Sequence, residues 1–176
     1  VIVAGALILG FFIGFSMRYA DLKNKKLAVQ LSRGIENELD SLKTVQLYTE
    51  IDLSLQTKIN FDCDSFKVND YSSSGISERL VASDNLDTRS ILAWTQPWKF
   101  PYKIDNIFYL SSDNVKYFLV YDSTTSDFVR KLEIPKLFDV DRITSVSGIK
   151  DIEKYKLVKV VFFTNPQDLS GIPGRF

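Results

Sequence analysis

Residues 27–45 read LAVQLSRGIENELDSLKTV, and at about 100° per residue Leu27, Ala28, Leu31, Ile35, Leu39, Leu42 and Val45 fall within one stripe about 120° wide. Lys25, Lys26, Arg33, Glu36, Asn37, Asp40 and Lys43 lie mostly elsewhere. A helix with one apolar side gains most of its stability from covering that side, so the fold has to supply a partner for it. The surrounding residues 21–58 are rich in Leu, Lys, Glu and Gln, and after Arg18 there is no Pro until Pro97. The spacing therefore predicts a long helix reaching about Lys58. Leu47, Tyr48 and Ile51 point away from the stripe, which predicts a bend or a change of packing partner near residues 45–48. Gly34 weakens the helix by about 1 kcal/mol relative to Ala.

Upstream, residues 1–17 (VIVAGALILGFFIGFSM) carry no ionisable side chain, and the first one is Arg18. A helix apolar on all sides belongs in lipid, so this run is expected to be a transmembrane segment. Its length is roughly 25 Å against a hydrocarbon core of about 30 Å. Because the sequence opens on Val1, the expectation is either a fragment or a chain cut just ahead of its apolar run, which ordinary signal peptidase would remove. Ala6, Gly10 and Gly14 recur every four residues on one face, where small side chains let another backbone approach. They are the candidate helix-packing residues, and the lipid bilayer, other membrane helices and further copies of the chain are the partners they imply.

Downstream the period changes to two. Ile59, Phe61 and Cys63 alternate with Asn60, Asp62 and Asp64, followed by Phe66 and Val68, which is the pattern of a strand. Residues 72–75 (SSSG) predict a turn, and further strands are expected at 79–82, 91–95, 107–111, 115–122, 128–134 and 155–164. The short connections 111–114 and 123–126 favour antiparallel hairpins, and a short helix is expected within 135–140 or 148–155. Residues 156–163 (KLVKVVFF) are apolar enough to predict a central strand. The fold class is thus α+β, with a transmembrane helix over 1–17, an amphipathic stalk over 18–58 and a mainly antiparallel β-sheet head over 59–176.

The composition removes several functions. Of the 176 residues, 22 are Lys or Arg and 22 are Asp or Glu, so the basic excess that a nucleic-acid binder uses against phosphates is missing. There is no His and one Cys, which deletes the commonest acid/base and metal ligand and leaves Cys63 without an internal disulfide partner. The pairs Asp62/Asp64 and Asp139/Asp141 have a spacing that can share a cation, yet neither continues into a calcium-loop pattern, so they are expected to be solvated strand residues. Cys63 has the apolar phase of its strand and is expected in the core. Phosphate-loop, nucleophile-elbow and metal-helix motifs are absent from the sequence, so no catalytic residue, metal or cofactor is assigned.

One segment is unusual in composition. Residues 94–102 (WTQPWKFPY) hold four aromatics and two prolines in nine positions. Prolines force extended neighbours and interrupt ladder pairing, so the segment is expected to cross irregularly over the sheet. Its rings are either buried beneath that crossing or offered to a ligand, and Trp94, Trp98, Phe100 and Tyr102 are the candidate contacts to a glycan or a protein.

An apolar N-terminal helix without Met, continuous with an amphipathic helix and followed by a sheet domain, resembles type IV pilins and pilin-like proteins processed at class III signal peptides. The resemblance is one of architecture, since Gly5 stands where those families usually carry Glu and the single Cys cannot close their C-terminal loop. Residues 94–122 also look like membrane-anchored proteins of small-genome archaea, a similarity that implies no activity. That the chain is not an enzyme is the expectation from the missing motifs. Pilin-like architecture implies a single-pass membrane protein with an extracytoplasmic head, as a filament subunit or a single-copy surface module. Arg18, Lys23, Lys25, Lys26 and Arg33 against Asp21 point the other way, since basic flanks are retained in the cytoplasm. The outside head is the expectation and the cytoplasmic head its alternative; a ligand-binding or sensory module built on the aromatic strip is the alternative function.

Overall fold

The computed structural model describes residues 2–43, 47–62, 65–69, 72–75, 79–83, 85–99 and 101–167, with side chains described for all of these except 2–7, 72–75, 79, 98, 99 and 103. The chain is α+β. Helix α1 (Ile2–Leu42) precedes strands β1 (Tyr48–Phe61), β2 (Ser65–Val68), β3 (Ser72–Gly75), β4 (Arg79–Ala82), β5 (Asn85–Lys99), β6 (Lys103–Ser111) and β7 (Val115–Val120). Helix α2 (Ser126–Lys131) and strands β8 (Asp139–Ile143) and β9 (Leu157–Phe162) follow, with a 3-10 turn at Val146–Gly148 between them.

The amphipathic stripe finds its partner within the chain. Ala28, Ser32, Ile35, Leu39 and Leu42 are buried at alternating spacings of four and three, which keeps them on one face of α1. That face packs on Ile51, Leu53 and Ile59 of β1, Phe66 and Val68 of β2, Ile91 and Ala93 of β5, and Phe108 and Leu110 of β6. Leu27 and Leu31 are half-buried at its margin, and Val45 lies outside the described residues.

The helix expected to reach Lys58 ends at Leu42, and Lys58 lies in β1. The physical reason is the burial pattern of β1, in which Ile51, Leu53, Thr57 and Ile59 all face inward at period two. A helix would have turned Ile51 and Leu53 away from each other, whereas a strand buries both against α1. The bulge between Asp52 and Thr57 preserves this phase, with Ser54 at φ 60° and its N–H donated to Asp52 Oδ1 at 2.7 Å.

A transmembrane helix was expected over 1–17; among the described residues no helix is long and apolar enough to cross a membrane. The uncharged residues with described side chains, 8–17, rise only about 15 Å. They are exposed on every side, as Phe11 at 70% and Phe12 at 63% show.

The six-stranded sheet runs β3-β2-β1-β5-β6-β4, antiparallel except for the parallel β4–β6 pair. Residues 72–75, expected as a turn, form β3 along β2. The three-stranded sheet runs β8-β7-β9 and is parallel throughout. This overturns the two expected hairpins. The turn at 111–114 passes from one sheet to the other, and residues 123–126 lead into α2, which takes part of the segment expected as a strand over 128–134. Parallel strands need a crossover rather than a tight turn, and α2 supplies the one from β7 to β8. The apolar run at 156–163 forms β9, expected to be central but placed at an edge, because β7 is the more buried strand and takes the middle. The short helix expected within 135–140 or 148–155 does not form: the first segment leads into β8, and the second meets the 3-10 turn only at Gly148.

β7 turns Tyr117 and Leu119 toward one face of its sheet and Lys116, Phe118 and Val120 toward the other. The first face meets the side of β5 and β6 opposite α1, where Tyr117 Oη donates to Ser111 Oγ at 2.9 Å. The second is covered by the connection from β8 to β9, whose Tyr155 hydroxyl bonds Asp139. Lys156 fastens the two sheets from β9's start, its Nζ 3.1 Å from the Asp87 carbonyl oxygen.

Candidate functional site

The facing surfaces of the two sheets do not close completely. Between them lies a cavity of about 460 Å³ with an almost wholly apolar wall. Trp94 of β5 and Tyr109 of β6 are directly opposed in register and form one side. Phe138, just ahead of β8, sets its ring edge-on to Trp94 with centroids 6.2 Å apart and lies 6.4 Å from the Tyr117 ring. Leu132 and Ile134, from the segment after α2, and Val140 of β8 complete that end. The mouth is flanked by Val81 and Val161, which are 51% and 40% exposed and lie on the edge strands β4 and β9.

Polar groups at this wall are few. Ser83 lies there with its hydroxyl buried and without a hydrogen-bond partner among the described residues. Lys159 of β9 stands beside Tyr117 in register and is the one ionisable amine on the wall; Asp and Glu are absent from it. Arg142 has the same facing on β8 but is occupied, donating to the carbonyl oxygens of Val129 at 3.1 Å and Leu132 at 2.8 Å.

A second cluster sits on the other face of the three-stranded sheet. Lys116 Nζ donates to Asp139 and lies 3.0 Å from Asp141 Oδ2, while the Tyr155 hydroxyl donates to Asp139. Burial pulls the Lys116 ammonium down, but the two carboxylates outweigh it and hold its pKa above the ordinary lysine value. Burial likewise raises Asp139, and the bonds from Lys116 and Tyr155 more than reverse that, leaving it below the usual carboxylate range. Asp139 and Asp141, expected to be solvated strand residues, are partly exposed in β8 and in addition partner the buried Lys116. Among the described residues no group of three or more His, Cys, Asp or Glu could hold a metal ion. Cys63 and Asp64 lie outside the described residues.

The aromatic strip is divided. Its irregular crossing is replaced by regular pairing through Trp98, with Pro97 opposite Asn106. Thr95 donates its N–H to the Leu47 carbonyl at 2.8 Å, so the alternate position, Pro97, turns its missing donor to the same side, beyond the start of β1. Trp94 lines the cavity, Tyr102 is 82% exposed in the turn after β5, the side chain of Trp98 is not among those described, and Phe100 lies outside the described residues. Tyr109, Tyr117, Phe138 and Lys159 were not singled out from sequence. Of the helix-packing candidates, Ala6 lies in α1 without a described side chain, and a Cβ added at Gly10 or Gly14 would meet nothing within 4 Å.

No protein-family model, curated protein or solved structure matches the chain.

Proposed function

We propose that this chain is a membrane-anchored, non-enzymatic protein in which α1 serves both as anchor and as part of the head's core. The observation that carries the reading is the continuity of α1 from Ile2 to Leu42, with large apolar side chains exposed on all sides over 8–17 and a buried stripe from Ala28 onward. An exposed apolar surface of that kind calls for lipid or other helices around it. Residues 2–7 extend the same helix and are needed for the span. The finer version is a single-pass, pilin-like filament subunit with an extracytoplasmic head, whose helices associate through Ala6, Gly10 and Gly14. Alkaline carbonate extraction tests the anchor: the chain should stay with the membrane, and Phe12→Asp should release it while the head remains folded. Release of the unaltered chain would overturn the reading. Protease added to intact cells should remove the head, and electron microscopy of sheared surface material should show filaments containing the chain if it is a subunit.

A second reading makes the head a ligand-binding or sensory module. The cavity favours it, since Trp94 of the aromatic strip lines that cavity.

A further inference from the structure

We infer that the cavity between the two sheets binds a medium-chain amphiphile carrying a carboxylate, its tail among Trp94, Tyr109 and Phe138 and its head at Lys159. The inference deepens the ligand-binding reading above and rests on it. Volume, wall and charge each bear on the class of ligand. About 460 Å³ is at the lower end of small-molecule sites, which run from about 300 to 1,000 Å³, and so suits one short chain. The wall offers ring faces and aliphatic groups over nearly its whole extent, with no acidic side chain to repel an anion. A sugar would leave its hydroxyls unpaired there, at a cost for each buried polar group.

The head group follows from Lys159. It shares the facing of Tyr117 on the neighbouring strand, is half-buried at the cavity, and makes no hydrogen bond or ion pair among the described residues. Lys116 has two carboxylates, Lys156 has Asp87 and Arg142 has two carbonyl oxygens, so Lys159 stands apart among the basic side chains of this sheet. A carboxylate placed at Lys159 would gain a charge-assisted bond in surroundings poor in water. The exposed lining residues Val81 and Val161 give the tail an apolar route in, beside Gln96, the exposed polar residue of the same wall.

The test is calorimetric titration of the full chain, in lipid nanodiscs, with decanoate and with 1-decanol. Three forms are compared: the unaltered chain, Val161→Trp to fill the mouth, and Lys159→Gln to remove the charge. Amphiphile taken up by lipid or by the apolar end of α1 is common to all three and cancels. Thermal unfolding of each variant confirms that the half-exposed substitutions leave the head folded. The expected result is saturable decanoate binding that Val161→Trp abolishes and Lys159→Gln weakens about fivefold or more, with decanol binding unchanged by Lys159→Gln. Equal binding of decanoate and decanol by the unaltered chain would overturn the anionic class alone. Binding unaffected by Val161→Trp, or no saturable binding of either compound, would overturn the cavity as a ligand site and the ligand-binding reading with it.

Discussion

Trp94 and Tyr109 face each other across β5 and β6 with ring centroids 4.8 Å apart and planes 28° from parallel, so a tryptophan from the strip of residues 94–102 is held as part of a sheet surface. The pair builds the wall of the cavity, and Phe138 closes on it from the second sheet. The contact between the two sheets therefore depends on an aromatic cluster whose members are 15 and 44 residues away from Trp94 in the sequence.

Trp94→Ala should destabilise the head by about 2 kcal/mol, below the range for a fully buried tryptophan because Trp94 is only half-buried. Urea unfolding followed by far-ultraviolet circular dichroism measures this. A loss under about 0.5 kcal/mol would mean that the rings contribute no more than an ordinary surface contact.

The two halves of α1 should respond differently to the same kind of change. Ile35 is 1% exposed in the helix–sheet core, and Ile35→Ala should cost about 2–5 kcal/mol. Leu22 is 65% exposed, and Leu22→Ala should stay within about 0.5 kcal/mol. Equal effects in denaturant titrations would contradict the division between projecting and packed helix.

Gly34 is a helix-interior glycine on the exposed side, and a Cβ added there would meet nothing within 4 Å. Gly34→Ala should raise stability by about 0.5–1 kcal/mol through lower backbone entropy in the unfolded chain. An unchanged or lower denaturation midpoint would show that the position needs glycine for a reason other than helix propensity.

Stability should fall on both sides of neutrality because of the Lys116 cluster. Asp139 is held below its ordinary value, so its contribution is present above the unfolded carboxylate pKa of about 4 and is lost as pH drops through the lower folded value. Lys116 is held above its ordinary value, so its contribution is present below about 10.4 and is lost as pH rises through the higher folded value. Asp139→Asn should flatten the acid limb and leave Asp141 as the remaining carboxylate for Lys116. Melting temperatures measured from pH 2 to 11 check both limbs; an acid limb unchanged by Asp139→Asn would assign it to other carboxylates, such as Asp87, which the Gln56 bond also lowers.

Much of the helix and several strands were legible in the sequence, because their signals are local. The stripe on α1 predicted the buried Ala28, Ile35, Leu39 and Leu42 but not Ser32, and the strand candidates at 79–82, 91–95 and 107–111 fall in β4 to β6, while 115–122 overruns β7 by two residues. The end of α1 was misplaced because Leu, Glu, Gln and Lys in 48–58 favour a helix locally, while burying Ile51, Leu53 and Ile59 on one sheet face contributes more. α2 was missed because its six residues are too few for a helical period to register. Among the described side chains, Trp94 was the one site residue named in advance that reached the cavity; aromatic crowding marked it, and nothing in its neighbourhood pointed to Phe138.

The sequence by itself determined the α+β class, the apolar start of the chain, the face of α1 that had to be covered and the lack of histidine and thiol-pair chemistry, since each follows from composition or from a repeat within about 20 residues. Only the tertiary structure decided that β7, β8 and β9 pair in parallel, that β7 takes the centre, and that Trp94, Tyr109, Phe138 and Lys159 surround one cavity. Pairing partner and strand order depend on which distant faces bury the most apolar surface together, and two strands with similar local patterns remain equivalent until the crossover and the opposing sheet place them.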